Sequence, residues 1–143
     1  MAQSSLLNGK VIQQSLPLVR LPAAPDTPVL KRLQLPQGEL AQIYDAEEGI
    51  RYMAVIELRP DSVRGNHYHK VKKELVYVTQ GEVLLVVEDI ESLARAECRL
   101  RPGDLVIIQT GVAHALRVAK PGQAIEFSQA RFDPADIHRY PLV

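Results

Sequence analysis

Two histidines and a glutamate lie close together near the middle of this chain of 143 residues: His67, His69 and Glu74. If the segment that holds the histidines is extended, side chains two residues apart point to the same face, so both imidazoles reach one side. Neutral imidazoles and a carboxylate are ligands for borderline divalent metals such as Zn, Fe, Mn, Ni and Cu. A catalytic histidine pair or a polar turn between strands would show the same spacing. The stretch therefore indicates a metal site and leaves those two interpretations open.

His114 is a fourth candidate, further along the chain. It opens a short apolar stretch in which Leu116 and Val118 share its parity, so we expect its side chain to point into an apolar interior. An isolated histidine on such a face is most often a hydrogen-bonded core residue. Joined to the two earlier histidines and the glutamate, it would complete a set of three imidazoles and one carboxylate around one metal, with open positions for a substrate.

The elements that must position these residues are short and rich in Val, Ile, Leu and Tyr, with turn residues between them. Many short strands at this spacing predict an all-β sandwich or barrel. No strand alternates with a long amphipathic helix, which argues against a parallel α/β sheet. The expected strands cover residues 51–58, 74–79, 82–88, 96–100, 105–109, 114–118 and 124–130.

The two ends of the chain differ from this central part. Residues 1–36 hold five of the ten prolines. Because proline fixes φ and lacks a backbone donor, we expect an extended arm that packs on the barrel or on a partner, before a single barrel domain at 37–143. Near the other end, Asp133 can cap a helix and a proline follows it, which predicts a short helix at 134–139. His138 in that segment is expected at the surface or at an interface.

Composition limits the classes of function. Lys plus Arg equals Asp plus Glu, at 17 each, so the charge balance gives no sign of nucleic-acid or anionic-membrane binding. The longest aliphatic run, 83–87, is far too short to cross a bilayer, and the first residues do not resemble a signal peptide. The single Cys98 cannot form an internal disulfide and is typical of a small strand residue. We therefore expect a cytoplasmic protein with a small-molecule ligand.

With these histidines, the glutamate and the turn glycines at their spacing, the sequence resembles the cupin superfamily. The first cupin motif has a glycine, five residues, the pattern HxH, three or four residues, a glutamate, six residues and a second glycine. This chain matches it at His67, His69, Glu74 and Gly81, and has Asp61 at the position of the opening glycine. The departure falls in a predicted turn, outside the ligand positions.

The second cupin motif has a glycine, five residues, the pattern PxG, two residues, a histidine, three residues and an asparagine. This chain matches it at Gly103, Gly111 and His114, and has Gln109 and Val118 in place of the proline and the asparagine. The resemblance implies a jelly-roll β-barrel whose cavity is lined by both motifs. It also implies that the histidines and the glutamate of the two motifs hold one divalent metal.

The segment that begins at Arg64 is similar to cupins that act on deoxysugar nucleotides, which include the dehydrorhamnose 3,5-epimerases and the cupin domains of capsular-polysaccharide enzymes. In those epimerases the histidine after ArgGly, here His67, acts as a general base without a metal. They typically lack the second histidine, here His69, so the presence of His69 and Glu74 favours a metal site. Cupins of this kind are commonly dimers, so the resemblance also implies a homodimer.

Three functions remain open from the sequence. The first is an enzyme whose metal polarises a carbonyl or binds dioxygen; Arg64 and Tyr77 are then candidate catalytic residues, and Tyr52 and Glu57 are candidates for orienting the substrate. The second is a metal-independent sugar epimerase or isomerase with His67 as the base. The third is a cupin that binds or senses a sugar without turning it over.

Overall fold

The computed structural model describes residues 2–143 and is built almost entirely of β-strands. Two short 3-10 segments, Leu7–Gly9 and Pro134–Asp136, interrupt them. The strands are β1 (Ala2–Leu6), β2 (Val11–Ser15), β3 (Leu18–Arg20), β4 (Lys31–Leu35), β5 (Gly38–Gln42), β6 (Tyr52–Leu58), β7 (Val63–Tyr68), β8 (Glu74–Asp89), β9 (Arg95–Leu100), β10 (Asp104–Ile108), β11 (Val112–Ser128) and β12 (His138–Arg139). The predicted all-β fold is confirmed.

Two long strands, β8 and β11, organise the molecule, because each takes part in two layers. The first half of β8 pairs with β10 and with the second half of β11, and β2 and β6 extend this layer at its two sides. The second half of β8 pairs with β9 and with the first half of β11, which continues to β7 and β12. The pairing of β8 with β11 shifts register between Val118 and Ala124, where β11 bends from one layer to the other.

The main core lies between these two layers. Side chains alternate faces along a strand, so Val76 and Val78 from the first half of β8 and Leu85 and Val87 from its second half point into the same cluster. Each of the four is almost completely buried. Burying an aliphatic side chain of this size stabilises the fold by roughly 1.5–3 kcal/mol. This shared core is the feature that makes the architecture the jelly roll expected from the resemblance.

The outer faces of both layers are covered by the ends of the chain. Leu75 and Tyr77, on the opposite face of β8 from Val76, pack with Leu30 and Ile43. These come from the N-terminal part, where β3, β4 and β5 form a separate three-stranded sheet. On the second layer, Leu142 and Tyr140 of the C-terminal segment cover Val86, Ala113 and Ala115.

The region expected to be an extended arm contains regular strands. β1 and β2 form an antiparallel hairpin, and β2 joins the main sheet through β10. The boundary predicted between residues 36 and 37 falls in the turn that connects β4 to β5, and these two strands pair with each other. Within residues 2–143, no helix is long and apolar enough to cross a membrane.

Two predictions of local structure differ in extent from the observed elements. The expected strands 74–79 and 82–88 form one strand, β8. The expected strands 114–118 and 124–130 fall in one strand, β11, which ends at Ser128. Both strands stay paired on either side of the expected turns. The helix predicted at 134–139 is only a 3-10 turn. Its cap is as predicted, with the Asp133 carboxylate accepting from the amide of Ala135 at 2.9 Å. Beyond it the chain is extended and pairs with β7, which ends the helix.

Candidate metal centre

Four predicted ligands meet at one end of the space between the layers. His67 lies in β7, His69 follows that strand, Glu74 begins β8, and His114 lies in the first half of β11. One ligand atom from each residue lies within 4.8 Å of the others. The carboxylate Oε2 of Glu74 lies 3.0 Å from Nε2 of His114, and Oε1 lies 3.6 Å from Nε2 of His69. His69, Glu74 and His114 are buried, and His67 is partly exposed.

The route by which Glu74 reaches the histidines differs from the expected one. A tight connection through residues 70–73 was expected to return the chain beside the histidine strand, but β11 lies between β7 and β8 in the sheet. His114 on β11 pairs directly with His67 on β7. Glu74 reaches them from the other layer, where its partner across the strands is Ile108 of β10. The site is therefore built between the layers, with ligands from both.

A glycine permits the close approach of β7 to β11. Gly65 has φ +88°, and a Cβ built on it would lie 2.6 Å from the carbonyl oxygen of His114 and 3.3 Å from Cα of Ala115. The β7–β11 register shifts between His114 and Ala115, at the same place. A side chain here would push apart the two strands that carry His67 and His114.

Hydrogen bonds to backbone carbonyls orient two of the imidazoles. Nδ1 of His69 donates to the carbonyl of Asp136 at 2.7 Å, and Nδ1 of His114 donates to the carbonyl of Val112 at 3.1 Å. A carbonyl oxygen can only accept, so the proton of each neutral ring is on Nδ1 and the lone pair is on Nε2.

Both Nε2 atoms are buried and face Glu74, and apart from that carboxylate neither has a hydrogen-bond partner among the described residues. Buried polar atoms rarely stay without partners. Metal-bound histidines characteristically donate the N–H of their other ring nitrogen to a carbonyl, as Nδ1 does in His69 and His114. The four ligand atoms all lie within 4.8 Å of one another. This span is a little over twice a usual metal–ligand distance of ~2.1 Å. The residues present fit a divalent metal.

The charges of the cluster also suit a metal. Burial and, to a smaller extent, the neighbouring His114 lower the pKa of His67 to about 4, so the ring is neutral at neutral pH. Burial acts to raise the pKa of Glu74, but His114 and Lys72 outweigh it and hold that pKa well below its usual range. Burial likewise acts to lower the pKa of His114, and Glu74 reverses the effect. Metal and proton therefore compete for His114.

An ion pair beside these ligands, formed by the buried Lys72 and the partly buried Glu126, was not predicted from the sequence. The ammonium of Lys72 lies 2.6 Å from a carboxylate oxygen of Glu126 and 3.3 Å from Oε1 of Glu74. It also lies over the ring of Tyr52, 4.8 Å from its centroid. The alternation of side chains along the strand could have revealed Glu126, because Glu126 shares a face of β11 with the fully buried Ala124. A charged residue at an inward-facing position of a strand is a functional signal.

A cavity of about 210 Å³ opens over the cluster. His67, His69 and Glu74 lie at its floor together with the Lys72–Glu126 pair. At its mouth the rings of Tyr52 and Phe132 are stacked, with centroids 5.6 Å apart and planes inclined by 27°. Arg131 lines the same mouth. The cavity thus combines an apolar wall with several charged groups close to the candidate ligands.

Of the other predicted site residues, only Tyr52 lines this cavity. Tyr77 lies on the face of β8 opposite to Glu74 and packs with Leu105 and Phe127. Arg64 is exposed and donates from Nε to the carbonyl of Glu57 at 3.1 Å. The position of these residues does not support the roles expected for Arg64, Tyr77 and Glu57.

His138 lies outside the cluster and stacks on Tyr68, with ring centroids 5.0 Å apart. Its side chain is partly exposed. Tyr68 points away from the two histidines that flank it, as the strand alternation predicted, and also contacts Tyr140. The remaining histidine therefore belongs to the outer face of the second layer.

Comparison with known proteins agrees with the fold and the motifs. The family model described as a cupin domain matches residues 54–127. The chain belongs to the cupin family. The match includes all four candidate ligands of this cupin. Asp61, at the position of the first motif glycine, has φ +58°, a backbone conformation that aspartate tolerates better than most residues.

Solved structures with the same fold include sugar-nucleotide enzymes. A 3,4-ketoisomerase from Helicobacter canadensis is 18% identical, with a TM-score of 0.67 over 77% of this chain and 86% of that chain. A dTDP-4-dehydrorhamnose 3,5-epimerase from Sulfolobus tokodaii is 16% identical, with a TM-score of 0.73 over 96% and 81%. The capsular polysaccharide assembling protein CapF from Staphylococcus aureus is 21% identical, with a TM-score of 0.58 over 63% and 26%.

At these identities the likeness establishes the fold alone. A search of curated protein sequences gave no match.

Proposed function

We propose that this cupin binds one divalent transition metal, of the group Zn, Mn, Fe, Ni and Cu, through His67, His69, Glu74 and His114. We further propose that it is an enzyme acting on a small carbonyl or sugar-type compound in the cavity. The observation that carries the proposal is the pair of buried Nε2 atoms, on His69 and His114, which face one carboxylate and have no other partner among the described residues. A third imidazole completes the set.

The residues around the candidate metal have the chemistry that such a reaction needs. A bound divalent ion supplies Lewis acidity toward a substrate oxygen. Lys72 places an ammonium at the floor of the cavity, where it can bind an oxygen that gains negative charge. Burial and the neighbouring Glu74 raise the pKa of Glu126, which suits a carboxylate that accepts and returns a proton. The stacked rings of Tyr52 and Phe132 offer a flat surface for the apolar face of a sugar or similar compound.

Size and charge favour a small substrate. The cavity of about 210 Å³ is below the usual ~300–1,000 Å³ of a site for a drug-sized ligand. Its lining holds two cationic side chains, Lys72 and Arg131, and four carboxylates. With so many carboxylates, the cavity favours a neutral compound that carries hydroxyl and carbonyl groups over one that carries a diphosphate.

A metal-independent epimerase or isomerase is the second candidate. Its support is His67, which lines the cavity, is the most exposed of the four residues and is neutral at neutral pH because its pKa is about 4. A neutral imidazole can act as a general base. Structural neighbours are named as an epimerase and a ketoisomerase of nucleotide-linked sugars. A binding or sensing role without turnover is the third candidate, since the same cavity would serve it.

Elemental analysis tests the first candidate. We expect about one transition metal per chain in protein purified without chelators, and a clear loss of metal in His69→Ala. Cys98→Ser is the matched control, because this free thiol could also bind a metal but lies in β9, outside the cluster. A wild type that carries no metal and cannot be loaded would refute the metal site. Turnover that persists unchanged in chelator would instead favour the second candidate.

A further inference from the structure

The C-terminal segment, which lines the cavity, also contributes a residue that binds His69 and the loop after it. Asp136 lies in the 3-10 turn Pro134–Asp136 and is buried, although it is 62 residues beyond Glu74 in the chain. Its backbone carbonyl accepts the Nδ1 proton of His69 at 2.7 Å. It is therefore the group that fixes which nitrogen of His69 faces the other ligands.

The carboxylate of the same residue holds the loop between the two layers. One oxygen accepts from the amide of Lys70 at 2.7 Å, and the other accepts from the amide of Lys72 at 3.0 Å. The amide of Val71 lies 3.2 Å from each oxygen. Three successive amides thus bind one buried carboxylate, and this loop carries Lys72 into the cavity.

The contacts of the Asp136 carbonyl and those of its carboxylate stabilise each other. The carbonyl that orients His69 belongs to the residue whose carboxylate is fixed to the amides immediately after His69. Without the carboxylate, the carbonyl would be free to move away from the imidazole, and the loop would lose the anchor for Lys72. Carbonyl groups that bind the second nitrogen of a metal-bound histidine typically change metal affinity by 10- to 100-fold when they are disturbed.

We propose that Asp136 is a positioning residue that couples the C-terminal segment to the metal centre by orienting His69 and holding the loop at 70–72. The proposal rests on the proposed metal-binding function. It goes beyond that function because it makes residues after the barrel strands a necessary part of the site. The segment is also tied to the barrel elsewhere, where Asn66 Oδ1 accepts from the amide of Leu142 at 2.9 Å and the hydroxyl of Tyr140 donates to Glu88.

The test compares metal binding by wild type, Asp136→Ala, Asp136→Asn and Tyr140→Phe. Affinity for Zn²⁺ is measured by competition with a chromophoric chelator, and the Co²⁺-loaded proteins are compared by their visible absorption. Asp136→Ala is expected to bind ~10- to 100-fold more weakly than wild type and to give a changed Co²⁺ spectrum. Asp136→Asn keeps one acceptor oxygen and should recover part of the affinity. Tyr140→Phe loosens the same segment at a distance from His69 and should bind like wild type.

Each outcome has a separate meaning. If wild type does not bind Zn²⁺ or Co²⁺, the proposed function fails. If wild type binds and a folded Asp136→Ala keeps the same affinity and spectrum, the positioning role is refuted. An equal loss in Asp136→Ala and Tyr140→Phe would also refute it, since it would assign the effect to loosening of the whole segment. Should Asp136→Ala not fold, the same comparison is made with Asp136→Asn, for which wild-type affinity and spectrum would overturn the proposal.

Discussion

Replacing Gly65 by alanine tests whether the close approach of β7 to β11 assembles the site. The new Cβ would lie 2.6 Å from the carbonyl oxygen of His114 and 3.3 Å from Cα of Ala115. Because the nearest atoms belong to the backbone, no side-chain rotation can relieve the contact. The residue would also have to adopt φ near +88°, which L-residues with a Cβ rarely do.

Two other glycines allow the loss in the free energy of unfolding to be divided into its causes. A positive φ costs roughly 1–2 kcal/mol for a residue with a Cβ, and overpacking against fixed atoms adds about 1–3 kcal/mol. Gly65→Ala should therefore lower the free energy of unfolding by ~2–5 kcal/mol. Gly111 has φ +73°, and a Cβ added to it would meet nothing within 4 Å, so Gly111→Ala should cost only the first part. Gly49 has neither problem, so Gly49→Ala should be neutral or stabilising by ~0.4–1 kcal/mol.

Urea unfolding of the three variants, with the slope checked for constancy, measures these differences. Zn²⁺ titration of the folded variants measures the effect on the site. We expect the stability order Gly49→Ala, Gly111→Ala, Gly65→Ala, from most to least stable. Only Gly65→Ala should weaken metal binding, since it alone separates His67 from His114. If Gly65→Ala is no less stable than Gly111→Ala, the reasoning from the close approach is wrong.

Two further predictions concern buried ionisable groups. Lys72→Met leaves the buried Glu74 and the partly buried Glu126 without their shared cation, so the free energy of unfolding at neutral pH should fall by about 3–5 kcal/mol. The pKa of Glu126, already raised by burial and by Glu74, would rise further, so the folded state would bind more protons than the unfolded state and stability would decrease as pH rises. Urea unfolding at pH 5.5 and 8 checks this; a loss no larger than that of the exposed Lys70→Met, or one that does not grow with pH, would count against the ion pair. Burial raises the pKa of Cys98 to about 11, so at pH 8 its thiolate should be ~100-fold scarcer than in the unfolded chain and its reaction with an aromatic disulfide reagent correspondingly slower. Similar rates in native and urea-unfolded protein would contradict this environment for the thiol.

The sequence was most informative where a strand period of two residues could be combined with residue chemistry. His67 and His69 share a face, as the alternation predicted, and their ring centroids lie 4.8 Å apart. His114 is buried on the same face of β11 as Leu116 and Val118. The face of each histidine follows from local spacing, whereas the set of four candidate ligands was expected from the combined residue chemistry and the resemblance to the cupin motifs.

What the sequence did not reveal depends on contacts between distant segments. β11 lies between β7 and β8 because of which strands pair with one another. Residues 70–73, which connect β7 to β8, do not indicate this pairing. The bends in β8 and β11 resemble turns in the sequence, because glycine and proline occur at both kinds of position. The pattern around Asp136 predicts a helix, whereas its carboxylate bonds to amides at 70–72.

In the proposed site, one metal is held by residues from both layers. A crystal grown with Zn²⁺ or Co²⁺, with diffraction recorded at the absorption edge of that metal, tests it most directly. We expect a single strong anomalous peak about 2.0–2.2 Å from a ring nitrogen of each of His67, His69 and His114 and from a carboxylate oxygen of Glu74. Metal-loaded crystals with no peak between these four residues, or with a peak bound elsewhere on the chain, would contradict it.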